Sequence, residues 1–465
     1  MLRLPLDILI SVLHLSQFNL KDLAALAQTC RFLHALVNEF GWSEYHRRHP
    51  RPSKSLSKAR AIWSPTARIK YDIATDKSWD QFCFIARPLS PAWPAREQPV
   101  TAINSSRLVV AAGISIYSYI FGEPFGSDAP PLVAEGSCSL GTRRDKSSYI
   151  TALAFTPDGH SDQTLCVGFQ DGTSERIVLN NPSRRKPAGS LRIRRTGRQP
   201  LHHPDSCESL AYSRGYILSL SAKGQAKLTA VDTGSTSPAI INLGVRSWRS
   251  HLHMGSTSPY AAFGSSSATP LTIHTITNDQ LSPLPSAVLQ QGEHGAPSAV
   301  YGISKGPPCS PWGSSPQIVV SGWYNGTVSI HDLRSSSRGH PNGPGFPAPL
   351  LAVLNLRDHW SVEPIYSVSC GGGSGSHVAA GSARHSLLSL WDVRSPKTKA
   401  LSLHAPLNDP SPVYDVILES SRLFGVTQSR PFVLDFGPGI TENTFPRLSN
   451  DTLNYYVTKY SHPPS

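Results

Sequence analysis

The residues with the widest chemical repertoire in this chain are its 18 histidines, its seven cysteines and one dense run of basic side chains, and their spacing argues against catalysis. No histidines cluster at metal-ligand spacing. The tightest pair, His202-His203, consists of neighbours in sequence, which rarely reach one ion. No G-x-G-x-x-G follows a strand, and there is no phosphate-cradling G-x-x-x-x-G-K, no H-E-x-x-H and no G-x-S-x-G elbow. Cys30, Cys83, Cys138, Cys166, Cys207, Cys309 and Cys370 are scattered, without C-x-x-C or a short even-numbered framework, which predicts reduced thiols in the cytosol or nucleus. The sequence thus predicts neither enzyme chemistry nor a cofactor or metal. The basic run holds Arg184, Arg185, Lys186, Arg192, Arg194, Arg195 and Arg198 in a chain of net charge +12. It reads as an outer strand guarded by charge against edge pairing, or as a nuclear import signal or acidic-partner contact. Nucleic acid fits less well, because aromatics are not interleaved with the bases as stacking needs.

What remains is surface that holds other molecules, and that surface needs a frame. A chain of 465 residues with 39% hydrophobic content can bury a sizeable core, and its 40 Pro and 35 Gly suit many short strands better than long helices. No apolar run approaches the roughly 18 residues a membrane span requires. Asp7 and His14 interrupt the oily N-terminus, so a secretory signal is not expected. The expectation is a soluble protein of the cytoplasm, the nucleus or both, with no membrane partner.

Apolar spacing is strongest at the start. If Pro5 opens a helix at its first position, where a missing N–H costs nothing, then Leu6, Leu9, Ile10 and Leu13 share one face while Ile8, Val12 and Leu15 share another. Asn19 is expected to cap a second helix, with Asp22 favouring its positive end and Leu20, Leu23, Leu26 and Ala27 forming its stripe. Thr29 is expected to cap a third, where Cys30, Leu33 and Val37 share one face and Phe32 and Leu36 the next. Three short helices of about 40 residues bury too little surface to be stable alone. Something else must cover the leftover faces, at roughly 1.5 to 3 kcal/mol for each Leu or Ile fully covered.

Leu4-Pro5, Ile8-Leu9, Val12-Leu13, the Asp22-Leu23 pair, Cys30-Arg31-Phe32-Leu33 and the closing Trp42 resemble an F-box, the module that fastens substrate receptors to the Skp adaptor of cullin-based ubiquitin ligases. Asp7 stands where Glu is frequent and Phe32 where Trp is frequent, changes that keep charge or bulk. The resemblance implies adaptor binding by Leu4, Pro5, Ile8, Leu9, Leu13, Leu20, Leu23, Leu26, Cys30, Phe32 and Leu33, and a cullin reached through the adaptor. A helical bundle packed on its own protein, or a dimerisation arm, stays open beside it.

Beyond a basic linker or spacer helix at 49–66, a repeat emerges. Seven stretches, starting near Val100, Tyr149, Glu208, Ser247, Ser298, Ile365 and Val413, share a short apolar strand, a turn, a strand with Ala-Gly or Ser-Gly, a polar turn and an alternating strand often ending in Asp. The clearest units run Val319-Val320-Ser321-Gly322, Asn325-Gly326-Thr327-Val328, Ile330-His331-Asp332, and Ala380-Gly381-Ser382 to Leu390-Trp391-Asp392. They resemble WD repeats, which implies a mainly β fold: a seven-bladed β-propeller over 67–440, behind an all-α module at 1–48 and before a tail at 441–465. Radial closure protects strand edges, and a strand near Arg68 to Ile73, or one past Asp435, is expected to zip the ring.

In such a propeller the ligand face commonly carries the turns between second and third strands and the crossings between blades. Here that places Trp248-Arg249, Trp323-Tyr324, Arg384-His385 and the region of His359-Trp360. Exposed Trp, Tyr and Arg are the usual anchors, and Arg reads phosphate or carboxylate bidentately, so the target is a protein, an acidic or phosphorylated one on that account. Each of these residues can equally be structural, since WD repeats often bury a hydrogen-bonded His where His294 and His359 stand. The resemblances together imply a non-catalytic substrate receptor that acts through proximity; a WD-repeat scaffold unrelated to ubiquitin is the alternative.

Overall fold

The computed structural model describes residues 4–460 apart from 127, 143–144, 158–161, 181–188, 201–204, 232–238, 256, 293–296, 310–313, 341–347, 396–399, 408–409 and 449–458. His202, His203, His294 and Arg184 to Lys186 lie outside the described residues.

The chain opens with helices α1 (Leu6–Leu15), α2 (Leu20–Thr29) and α3 (Arg31–Leu36), and the last runs through a π-helical turn at Val37–Gly41 into α4 (Trp42–Arg48). Pro5 is the N-cap of α1 and not its first helical residue. Asn19 caps α2 as its sequence position predicts: its side chain accepts from Lys21 N and Asp22 N, and Asp22 accepts from Asn19 N in return. Thr29 does not cap α3. Its hydroxyl donates back to the Leu26 carbonyl at 2.7 Å and closes α2 instead, leaving Cys30 at the next N-cap without a side-chain bond. Leu9, Leu13, Leu23, Leu33, Leu36, Val37 and Trp42 form the core of this module. Gly41 allows close packing there: a Cβ would stand 3.2 Å from Val37 Cγ1 and 3.3 Å from Leu23 Cδ2, so those side chains would have to give by a few tenths of an ångström.

Two further helices, α5 (Ser57–Ile62) and α6 (Pro65–Asp80), follow. Ser64 caps α6 by accepting from Ala67 N, with Pro65 at the first turn. The residues expected to give a closing strand, Arg68 to Ile73, therefore lie in a helix. Closure comes from Ile85–Pro88, which pairs antiparallel with Pro431–Asp435 and so adds an N-terminal outer strand to the last sheet.

The strands form a β-propeller. The first strand of each repeat touches the next in a closed circle: Val100–Ile103, Ile150–Phe155, Cys207–Ser213, Ser247–His253, Ser298–Lys305, Ile365–Gly371, Val413–Leu418 and back to Val100–Ile103. Seven blades were expected from the repeats; among the described residues there are five, each a sheet that stands alone. The repeats from Ser247 and Ser298 share a single ten-stranded sheet. Strand Tyr260–Ser267 overruns its own hairpin, and its end pairs Ser266 with Ala299 and Ser267 with Ser298. Apolar clusters fill the spaces between successive sheets, such as Ile318, Val320, Ile330, Val368, Val378 and Trp391. Beyond the last repeat, Phe445 is buried against the Leu108 and Phe424 cluster, so residues just past 440 pack on the ring.

Asp332 and Asp392, each ending a strand, accept from the backbone N and guanidinium of the Arg two residues on, Arg334 and Arg394, which fixes the outgoing turn. His359 is exposed and does not play the buried role expected of it. Its neighbour Asp358 does: it is buried and accepts from Ser389 Oγ, Ser402 Oγ and Trp360 N.

Candidate functional site

Two surfaces follow from this framework, one on the helices and one on the ring. Among the described residues, the helical module is tied to the rest of the chain through α6 and the segment before α5. Ile69 of α6 enters its core, His46 bonds the Pro65 carbonyl at 3.1 Å, and Arg51 binds Asp76 bidentately at 2.6 Å while lying 3.6 Å from Asp72. Glu44 accepts from Arg47 and Arg48, whose guanidinium also reaches the Ser16 carbonyl. The Arg47 hydrogen bond, working against burial and helped by Arg48, holds the Glu44 carboxyl down at about 2.

On the opposite side of the module the apolar surplus stays open. Leu4 and Phe32 are each 46% exposed, Leu6 51% and Ile8 43%, with Pro5 exposed beside them. Residues expected to bind an adaptor thus divide by burial. Leu4, Pro5, Ile8 and Phe32 are on the surface, and Leu20, Leu26 and Cys30 are half-buried. Leu9, Leu13, Leu23 and Leu33 are sealed inside and shape the surface without forming it, because a three-helix module needs its own core before it can present a face. Leu6 is not among the residues expected to bind an adaptor, yet it is exposed beside them, although it shares a helix face with the buried Leu9.

Helix α6 and the segment before α5 attach this module to one face of the ring, at turns that follow the innermost strands. Trp79 stacks on Phe436 at 3.7 Å between centroids, meets His377 at 4.5 Å and donates its indole N–H to the Ser420 carbonyl. Glu419 accepts from Ser53 Oγ, from the backbone N–H of Lys54 and Ser55 and from Ser55 Oγ. Lys54 Nζ reaches the Ile103 carbonyl, Lys58 Nζ reaches Ser106 Oγ, and Tyr71 donates to Ser421 Oγ. Burial drives the His377 imidazole below its ordinary value, opposed by Asp392 and by its bond to the Gly372 carbonyl.

The opposite face begins where those same strands begin, about six residues or roughly 20 Å away. There the register of the innermost strands slips at one recurring position, between Ile150 and Ala152, Cys207 and Ser209, Ser247 and Arg249, Val300 and Gly302, Ile365 and Ser367, and Val413 and Asp415. A bulge re-aims the extra side chain, and the residues it releases are Thr151, Glu208, Trp248, Tyr301, Tyr366 and Tyr414. The last four form an arc of touching rings: Trp248 to Tyr301 at 5.0 Å, Tyr301 to Tyr366 at 5.4 Å and Tyr366 to Tyr414 at 5.7 Å, with Tyr324 at 6.5 Å from Tyr301. Burial raises the Tyr301 phenol above its ordinary value, with Tyr366 and Tyr324 adding to it.

Of the six residues expected to contact a target, Trp248, Arg249 and Tyr324 lie on or beside this arc. Arg249 turns inward and meets Asp415 at 3.4 Å, and Asp415 also accepts from Thr101. Trp323 is not an exposed anchor. It is 3% exposed and donates to Ser321 Oγ at 2.9 Å, because the strand alternation that lifts Tyr324 out turns Trp323 in. Arg384 and His385 are exposed in a neighbouring turn, Arg384 lying 3.6 Å from Glu363, and His385 has a positive φ of 60°. Tyr301, Tyr366 and Tyr414 were missed. Their signal was legible as the second residue of each apolar opening, in VYG, IYS and VYD.

Among the described residues no group of three or more His, Cys, Asp or Glu is placed to hold a metal ion, and no helix is long and apolar enough to cross a membrane. Arg195 of the basic run binds Glu175 bidentately and the Leu140 carbonyl from the outer strand Ile193–Pro200, so this arginine is committed to its own sheet.

Residues 1–48 match the F-box-like family. No curated protein matches the chain. A crystal structure of Chaetomium thermophilum Sqt1 bound to the N-terminus of the ribosomal protein L10 is similar, with 14% identity, a TM-score of 0.48 and coverage of 72% of this chain and 82% of that one. The chain thus carries an F-box-like domain followed by a β-propeller, an architecture typical of non-catalytic adaptor subunits.

Proposed function

We propose that this protein is the substrate-recognition subunit of a cullin-based ubiquitin ligase: the F-box-like domain binds the Skp adaptor, and the propeller holds the protein to be ubiquitinated, in the cytoplasm, the nucleus or both. The observation that carries the reading is the open apolar face of Leu4, Leu6, Ile8 and Phe32, which the described residues leave uncovered while Ile69 of α6 enters the core of the same module. Those side chains are already half covered, so closing a partner over each contributes roughly 1 kcal/mol. Leu9 and Leu23 instead keep the module folded. Rigid attachment of that module through α6 supports catalysis by proximity, since a fixed spacing between adaptor and target sets the effective concentration at the ubiquitin carrier.

Coexpression of the full chain with a Skp adaptor and a cullin tests this. The expected result is a ternary complex that survives size-exclusion chromatography. A chain that elutes alone, folded and free of adaptor, overturns the reading and leaves a propeller scaffold unrelated to ubiquitin.

A further inference from the structure

The aromatic arc is the largest feature of the ring that the fold itself does not use. Four consecutive innermost strands each spend a bulge to bring a ring to one rim. Tyr324 continues the arc outward at 57% exposure, and Trp360 and Val362 on the crossing before Ile365 are exposed at 75% and 80%.

Charge decides what fits there. Arg246 lies over the Trp248 ring at 4.0 Å and is paired with Glu208, Arg249 is paired with Asp415, and Arg384 faces Glu363. Arg357 is hydrogen-bonded to Thr327 Oγ1. Arg246, Arg249 and Arg384 are thus balanced within the chain, and reading a phosphate with them would mean breaking a pair for each one recruited. The Tyr301 and Tyr366 hydroxyls have no hydrogen-bond partner among the described residues, which leaves two donors standing beside flat apolar rings. Half-buried tyrosines lose little conformational freedom on binding, since the ring has only two torsions.

We infer that this arc binds an uncharged, proline-rich extended segment of a protein, without a phosphate. Resting on the reading of the propeller as the target-holding part, this inference names the chemistry of the target. Proline rings stack on Tyr and Trp faces, the extended proline helix arrives preordered, and its solvated carbonyls accept from phenol donors. An acidic or phosphorylated segment, which the isolated Arg residues would favour, finds its arginines already engaged.

The test uses the full chain against two decapeptide arrays, one alternating proline with aliphatic residues and one carrying Glu or phosphoserine at the proline positions. Binding is read by fluorescence anisotropy. The proline array binds, and the Tyr301→Ala, Tyr366→Ala double variant weakens it at least about tenfold, as expected for central aromatic anchors. Tyr301→Phe with Tyr366→Phe keeps the stacking and gives an intermediate loss. Circular dichroism reports the fold, and capture of the Skp adaptor, on the other face, stays unchanged in every variant. Absence of proline-array binding, stronger binding of the phosphoserine array, or proline-array binding indifferent to the double variant each overturns the inference. Adaptor capture separates this outcome from failure of the receptor reading itself.

Discussion

The two faces of the ring are made from opposite ends of the same innermost strands, yet they are finished in contrary ways. Where the strands end, every prominent group has a partner in the chain: Trp79 is stacked and hydrogen-bonded, Glu419 collects several donors, and Lys54 and Lys58 reach into the turns. Where they begin, Trp248, Tyr301, Tyr366 and Tyr414 meet in an arc, with Arg246 over Trp248, and leave ring surface for something else. A face joined to the helices is a seam, and the face of the same ring that keeps aromatic surface open is an interface. The difference locates the mechanical link on one side of the propeller and recognition on the other.

Breaking the seam has the largest expected effect. Trp79→Ala removes the stack on Phe436 and the bond to Ser420, and is expected to cost about 3–5 kcal/mol. Chemical denaturation measures it, and limited proteolysis should cut between the helices and the ring. Glu419→Ala strands the donors of residues 53–55 and is expected to cost about 2–3 kcal/mol in the same assay. A smaller effect follows from His377, which packs on Trp79 and is held neutral by burial. Because its folded value lies below the ordinary 6.5, the stability it contributes is present above that pH and is lost as the pH falls below it. Denaturation between pH 7.5 and pH 5.5, about one unit either side of the ordinary imidazole value, should show that decline, and His377→Gln should flatten it. The smallest effect belongs to the open rim: Tyr366→Ala should change stability by less than about 1 kcal/mol, because its ring rests on other surface rings and fills no core. A loss as large as that of Trp79→Ala would erase the distinction between the faces.

Much of this was legible in the sequence. Periodicity in residues 4 to 42 gave the helices, and Asn19 with Asp22 gave a cap, because both depend on neighbours within one turn. The repeats were legible from their apolar openings. Helix α6 was not: its buried side mixes Asp72 and Thr75 with Ile69, Tyr71 and Trp79, while the apolar Ile73 is exposed, so hydropathy shows no apolar stripe to read. Ile85–Pro88 was too short to announce itself as the closing strand, and the fusion of two repeats depends on how far strand Tyr260–Ser267 overruns its hairpin. Among the candidate contacts, sequence identified apolar residue types but not their depth, which is why Leu9, an expected adaptor contact, and Trp323, an expected target contact, are buried.

Calorimetric titration of the Skp adaptor into the full chain tests the central claim most directly, with Ile8→Glu and Phe32→Glu compared with Tyr301→Ala. Each charge on the open helical face should weaken adaptor binding by about tenfold or more while leaving the melting transition in place, and the change on the far rim should leave affinity untouched. Adaptor affinity that survives both glutamates in a folded chain would contradict the account.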